Sequence, residues 1–199
     1  TTIYFDLENP VIYGGDIFLA DLKISTPDKS INVVDGTILY DNSKLEIKEV
    51  STGGSLFTLW PKPPAFSNEN GTLSFVGGIS GGFQGEKGEV LKIIFLAKNE
   101  GEAKIDFLDG FSVFLNDGQG TGINPWLRPL SLNISKRPTE IPAKDEWQFL
   151  IEKDKTPPDF IEAIINRDSH LFDNQYFVSF FATDKDSGVS YYEVKEGKL

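Results

Sequence analysis

The stretch Asp16-Ile17-Phe18-Leu19-Ala20-Asp21-Leu22-Lys23-Ile24 alternates residue by residue, with Phe18, Ala20, Leu22 and Ile24 on one face and Asp21 and Lys23 on the other. A period of two is the mark of a strand with one buried side. Val34, Gly36, Ile38 and Tyr40 repeat it, as do Leu91, Ile93, Phe95 and Ala97, then Ala103, Ile105 and Phe107. The last two rows are separated by Asn99-Glu100-Gly101, which reads as a hairpin turn. Further outward, strand-like runs fall near residues 3–7, 16–25, 31–41, 45–51, 56–60, 72–78, 89–98, 102–108, 111–115 and 129–135, separated by Gly, Asn, Asp and Pro. No 3.6-residue apolar stripe interrupts them. About ten short strands predict an all-β sandwich, and the 16 Phe residues supply bulk to fill the space between its sheets.

Composition removes several classes of function. The chain of 199 residues has no Cys and one His, which excludes disulfides, Cys nucleophiles, iron–sulfur clusters, thiolate zinc sites and any site needing two imidazoles. With 19 Lys and Arg against 30 Asp and Glu, the net charge of -11 repels nucleic-acid phosphate and anionic membrane surfaces. No run approaches the roughly 18 apolar residues of a membrane helix, so neither nucleic acid nor membrane insertion is expected. Met is absent even at position 1, and the chain reads as a processed or excised piece of a longer product.

Apolar periodicity stops at Arg137-Pro138-Thr139-Glu140-Ile141-Pro142-Ala143-Lys144-Asp145-Glu146, where Pro and charge take over. The expected organisation is a sandwich over residues 1–136, a linker over 137–156 and an incomplete β segment over 157–199. Strand-like runs in the last part fall at 160–165, 175–183 and 190–195, too few residues to close a sandwich of their own.

The order of four motifs resembles the cohesin domain. Gly15-Asp16 opens a strand; Ile38-Leu39-Tyr40-Asp41-Asn42-Ser43-Lys44-Leu45-Glu46-Ile47 follows; then come Gly71-Thr72-Leu73-Ser74-Phe75 and Gly88-Glu89-Val90-Leu91-Lys92-Ile93-Ile94-Phe95. The likeness spans about residues 3–136. It implies a jelly-roll sandwich of about nine strands, with one sheet face that grips a small helical dockerin module of another protein. The tail, with Asp154-Lys155-Thr156-Pro157-Pro158, Thr183-Asp184-Lys185-Asp186-Ser187-Gly188-Val189 and Tyr191-Tyr192-Glu193-Val194, resembles part of a bacterial immunoglobulin-like domain. Together these likenesses imply an extracellular or cell-surface binding protein.

With Ile38 and Tyr40 inward, Val33, Asp35, Thr37 and Leu39 face out. Asp35 lies six residues before Asp41, where the resemblance implies an acid that hydrogen-bonds the partner helix. Leu39 adds an apolar anchor, and Ser74, Val76, Lys104 and Asp106 are expected neighbours. An alternative is carbohydrate binding: Trp60-Pro61-Lys62-Pro63-Pro64-Ala65-Phe66 and Pro125-Trp126 set aromatic rings beside prolines, so Trp60 and Trp126 could stack on sugars or plug the sandwich ends.

The remaining motifs are weaker. The glycines from Gly77 to Gly88 lack the Lys-Ser or Lys-Thr of a phosphate loop and read as a mobile connection between strands. Calcium is the one metal worth weighing: Asp184 and Asp186 have the one-three spacing of oxygen-ligand loops, but Gly188 and Lys195 stand at the fifth and twelfth positions, unlike an EF-hand. Asn116-Asp117-Gly118 reads as a turn. Asp168-Ser169-His170 has the residue types of a catalytic triad, yet three consecutive residues cannot converge as one. No motif singles out a carboxylate pair for glycoside hydrolysis, and the chain is expected to be no enzyme and to need no cofactor.

Overall fold

The computed structural model describes residues 1–159, 163–168, 172–180, 182–189 and 191–195, the side chains of Phe172 and Ser179 excepted. Ser169 and His170, with residues 160–162, 181 and 190 of the expected tail strands, lie outside the described residues. The elements of the sandwich are β1 (Thr2–Asp6), β2 (Ile12–Tyr13), β3 (Ile17–Tyr40), β4 (Leu45–Ser51), β5 (Leu59–Ser67), β6 (Thr72–Ala97), β7 (Gly101–Phe107), β8 (Ser112–Leu115), β9 (Gly122–Ile123), β10 (Trp126–Arg128) and β11 (Leu130–Ser135). One helix, α1 (Glu146–Lys153), and a two-stranded ladder of β12 (Ile164–Arg167) with β13 (Tyr176–Ser179) follow.

Two pairs of expected strands are each one long strand. Residues 16–25 and 31–41 join as β3, and 72–78 and 89–98 join as β6; these two pair antiparallel from Ile17 opposite Leu96 to Leu39 opposite Thr72. The ladder slips between Leu22 and Val33, and there both strands bend from one layer into the other. The glycine-rich stretch is therefore no free connection: Phe83 and Gly85 pair with Ile31 and Thr26. Positive φ at Gly81 (87°) and Gly82 (78°) lets β6 turn with its partner.

The first layer contains β10, β1, the first half of β3, the second half of β6 and β4. The second contains β5, the first half of β6 and the second half of β3, flanked by β8 beside residues 31–35 and β7 beside residues 38–40. Buried Phe18, Ala20, Leu22 and Ile24 from one half of β3 and Val34, Ile38 and Tyr40 from the other belong to a single core. Ring contacts close the gap: Phe5 stacks on Phe107 with centroids 5.0 Å apart, and Tyr40 meets Phe95 edge-on at 5.4 Å.

Asn99-Glu100-Gly101 does not make a hairpin ladder. Both edges of β6 at its end are taken, Leu96 by Ile17 and Ala97 by Leu45, so the chain crosses to the other layer, where β7 pairs with β3 and β11. The strand expected at 56–60 lies at Leu59–Ser67, across Pro61, Pro63 and Pro64. This is physically reasonable because β5 is an edge strand paired only to β6, where a missing N–H costs no ladder bond.

The Tyr-Asp turn has a physical basis. The buried Tyr40 hydroxyl donates to Asn68 Oδ1 at 2.7 Å, and the same amide brackets Ile47, accepting from its N–H at 2.8 Å and donating to its carbonyl at 2.9 Å. Burial and then Glu46 push the phenol up to about 12, so it remains a donor. Asp41 then closes the turn by accepting from the Ser43 N–H and hydroxyl.

The expected linker is attached and partly helical. Buried Asp16 accepts from Tyr13 N at 2.8 Å, Lys144 N at 2.7 Å and Arg137 Nη2 at 2.8 Å. Burial raises the Asp16 carboxyl, but Arg137 and the two backbone N–H groups outweigh it and leave it below the usual carboxylate range. Asp145 caps α1 by accepting from Gln148 N at 2.8 Å. Glu146 accepts from Leu19 N at 2.9 Å, and the Trp147 indole donates to Glu49 Oε2 at 2.9 Å, which lays α1 on the outer side of the first layer.

Gly36 is a glycine for packing, since a Cβ there would stand 2.1 Å from the Phe111 ring. Gly36→Ala is expected to cost roughly 1–3 kcal/mol by overpacking, read as a lower urea midpoint with an unchanged m-value.

Candidate functional site

The outer face of the second layer is built by the pleat of β3. Asp35 is exposed and Val33, Thr37 and Leu39 are half-buried, while Val34, Gly36, Ile38 and Tyr40 between them enter the core. All four residues singled out in the sequence thus face out together. The ladders set their neighbours in rows: Lys62, Val76, Asp35 and Ser112 form one, and Ala65, Ser74 and Thr37 the next. A third row runs Ser67, Thr72, Leu39, Asp106, and a fourth Leu59, Gly78, Val33, Phe114. Ser74, Val76 and Asp106 are confirmed as neighbours by register. Lys104, on the same side of β7 as Asp106, donates to that carboxylate and holds it below the usual carboxylate range, aided by the Phe107 N–H.

The two central strands give this face the short side chains Val33, Thr37, Ser74 and Val76, and Asp35 stands in the row between those of Val33 and Thr37. A sheet face of this kind can bury apolar area against a helix and offer a hydrogen bond near its centre. A cleft lies elsewhere: it measures about 850 Å³ and opens between the first layer and α1, lined by Leu19, Asp21, Lys92, Glu146, Phe149 and Lys153 among others.

Trp60 and Trp126 are separated in role. Trp60 is half-buried, edge-on to Phe57 at 5.9 Å and to Phe75 at 6.3 Å, so it packs against the core. Trp126 plugs nothing: it is 79% exposed on β10, a three-residue strand whose parallel partner is β1. Asp184 is buried, and its Oδ1 accepts from the N–H groups of Asp186 and Gly188, each at 2.9 Å. That oxygen shapes a turn, and no group of three or more Asp, Glu or His able to hold a metal converges among the described residues.

Sequence reasoning missed the charged cluster on the outer side of the first layer. Asp21 and Glu89 sit on adjacent strands with Lys23 between them; Lys23 Nζ is 2.7 Å from Asp6, 3.6 Å from Asp21 and 3.9 Å from Glu89. Asp21 Oδ1 and Glu89 Oε1 are buried with no hydrogen-bond partner among the described residues. Burial first, then the Asp21 charge, pushes the Glu89 carboxyl up to about 7, against the opposing pull of Lys92 and Lys23. α1 was also missed; the available signal was Asp145 three residues before Gln148, a helix-start spacing lost in a charged stretch.

The family model for the cohesin domain matches residues 9–121. The chain belongs to the cohesin domain family. Among solved structures, a type I cohesin–dockerin complex from Clostridium thermocellum aligns with TM-score 0.57 and 16% identity over 68% of this chain and 95% of that one. A non-cellulosomal cohesin from the archaeon Archaeoglobus fulgidus aligns with TM-score 0.56 and 18% identity over 68% and 91%. The cohesin module of a Clostridium perfringens family 33 glycoside hydrolase gives 0.54 and 16% over 68% and 97%. At these identities the likeness is one of fold. No curated protein sequence matches the chain.

Glu89 makes stability depend on pH. Its folded value of about 7 lies above the ordinary 4.5, so between those values the folded state holds a proton that the unfolded chain has released. Stability therefore falls as pH rises through that window. The melting temperature is expected to rise by several degrees from pH 8 to pH 5.5, and Glu89→Gln should flatten that slope and raise the value at pH 8, as read by calorimetry.

Proposed function

We propose that this chain is a non-catalytic binding module that docks a dockerin-type helical partner on the outer face of the second layer. The observation that carries the reading is the row structure of that face: Asp35 stands between Val76 and Ser112, with Val33, Thr37 and Leu39 along its own strand. Family membership supports it, as does the Clostridium thermocellum cohesin solved together with a dockerin. Apolar contacts of Val33, Leu39 and Val76 supply affinity, and a hydrogen bond from the partner helix to Asp35 supplies specificity.

The setting we infer is extracellular or at the cell surface, with the protein serving scaffolding or adhesion and the tail read as the beginning of an immunoglobulin-like spacer. The acidic chain suits a displayed soluble module. Carbohydrate binding is kept as a second reading by one observation, the exposure of Trp126. Trp60 gives it little, because its ring faces the core.

The test is titration calorimetry of the chain against dockerin modules. One-to-one binding is expected, with Asp35→Ala weakening it about tenfold or more, a loss of at least roughly 1.4 kcal/mol. Binding that is indifferent to Asp35→Ala removes the proposed site. No binding to dockerins together with polysaccharide retention that Trp126→Ala abolishes moves the reading to sugar.

A further inference from the structure

The turn at residues 184–188 of the tail meets the Gly53–Gly54 turn after β4 backbone to backbone. Gly54 N donates to the Asp184 carbonyl at 2.9 Å, and the Ser51 hydroxyl donates to the Ser187 carbonyl at 2.8 Å. Ser51 Oγ also accepts from Gly53 N at 3.0 Å, so one hydroxyl holds its own turn and its partner's. On the far side Asp154, the residue that ends α1, accepts from Ser187 N at 3.1 Å and Ser187 Oγ at 2.6 Å.

The fit leaves no room for side chains. A Cβ at Gly53 would stand 2.6 Å from Gly188 N and 2.7 Å from the Asp186 carbonyl oxygen; one at Gly188 would stand 2.7 Å from Ser51 Oγ. Gly54 and Gly188 have φ of 70° and 95°, so their own turns ask for glycine. Gly53 does not have a positive φ and its turn would accept a side chain. The space its missing side chain leaves is filled by the tail. That absence is explained by the contact and by nothing in the local backbone.

The intervening chain is tied as well. Arg137 and Lys144 bind Asp16, Glu146 binds Leu19 and Trp147 binds Glu49, so the route from the sandwich into α1 is tied along its length, and Asp154 at the end of α1 binds Ser187 of the tail turn. Asp184 Oδ1 preorganises the turn that docks, and the Asp159 N–H, which donates to the Thr183 carbonyl at 2.7 Å, connects it to the chain leaving α1.

We propose that the Gly53–Gly54 turn, Ser51 and the end of α1 form a clasp that receives the turn 184–188 and holds the segment after the sandwich in one fixed orientation on the first layer. The two parts then move as one body, on the layer opposite the Val33–Leu39 face. The clasp does not rest on the identity of any docking partner.

Hydrogen exchange of the full chain, read by mass spectrometry on peptides covering 184–189, tests it beside small-angle scattering. The wild-type turn is expected to exchange at least tenfold slower than a free peptide. Gly53→Val should bring it to free-peptide rates and enlarge the radius of gyration while the main unfolding transition stays in place. Ser51→Ala, which only removes a hydroxyl, should speed the same exchange and supplies the answer should Gly53→Val fail to fold. Free-peptide exchange in the wild type, or unchanged exchange in both variants, overturns the clasp.

Discussion

The antiparallel ladder between β3 and β6 is the constraint on which the rest of the structure depends. It spans both layers, from Ile17 opposite Leu96 to Leu39 opposite Thr72, and every other strand of the sandwich adds to one of its edges or to a strand already placed there. A slip of one residue would turn Phe18, Leu22, Val34 and Ile38 out of the core and bring Asp21 and Asp35 into it. The burial of those apolar residues therefore holds the register, and the register puts Asp35 on the surface. The bend between Leu22 and Val33 turns one ladder into two facing layers.

The two outer faces have different chemistry. On the second layer, Val33, Asp35, Thr37, Leu39, Ser74 and Val76 form an open surface. On the first, Leu19 and the buried Ile94 lie opposite each other beneath a side of the sheet to which α1 is tied through Glu146 and Trp147. The unpartnered oxygens of Asp21 and Glu89 belong to that covered side, which is why burial raises both carboxyls.

Much of this was legible in the sequence, because period-two alternation records burial directly. Phe18 to Ile24 and Val34 to Tyr40 were read on the correct face, and Val33, Asp35, Thr37 and Leu39 on the other. Strand continuity was not legible. The bends of β3 and β6 contain Pro27, Gly81 and Gly82, residues that also punctuate loops, and only pairing with each other keeps them in the ladder. The crossing at Asn99–Gly101 is not legible, because a turn between two alternating rows looks like a hairpin whether or not the strand edges are free. The 137–156 segment reads as a linker because its attachments are single polar contacts to Asp16, Leu19 and Glu49, which leave no apolar period. The tail's likeness to an immunoglobulin-like domain rests on its sequence motifs; among the described residues its strands form the short β12–β13 ladder.

The central claim is that partner binding takes place on the open face of the second layer. Methyl cross-saturation measures this directly, with the bound dockerin-type partner irradiated and the methyl signals of the full chain observed. Val33, Thr37, Leu39 and Val76 are predicted to lose intensity while Leu19 and, on α1, Leu150, which line the cleft on the first layer, keep theirs. Loss at Leu19 and Leu150 with Val33, Thr37, Leu39 and Val76 unchanged would contradict the account.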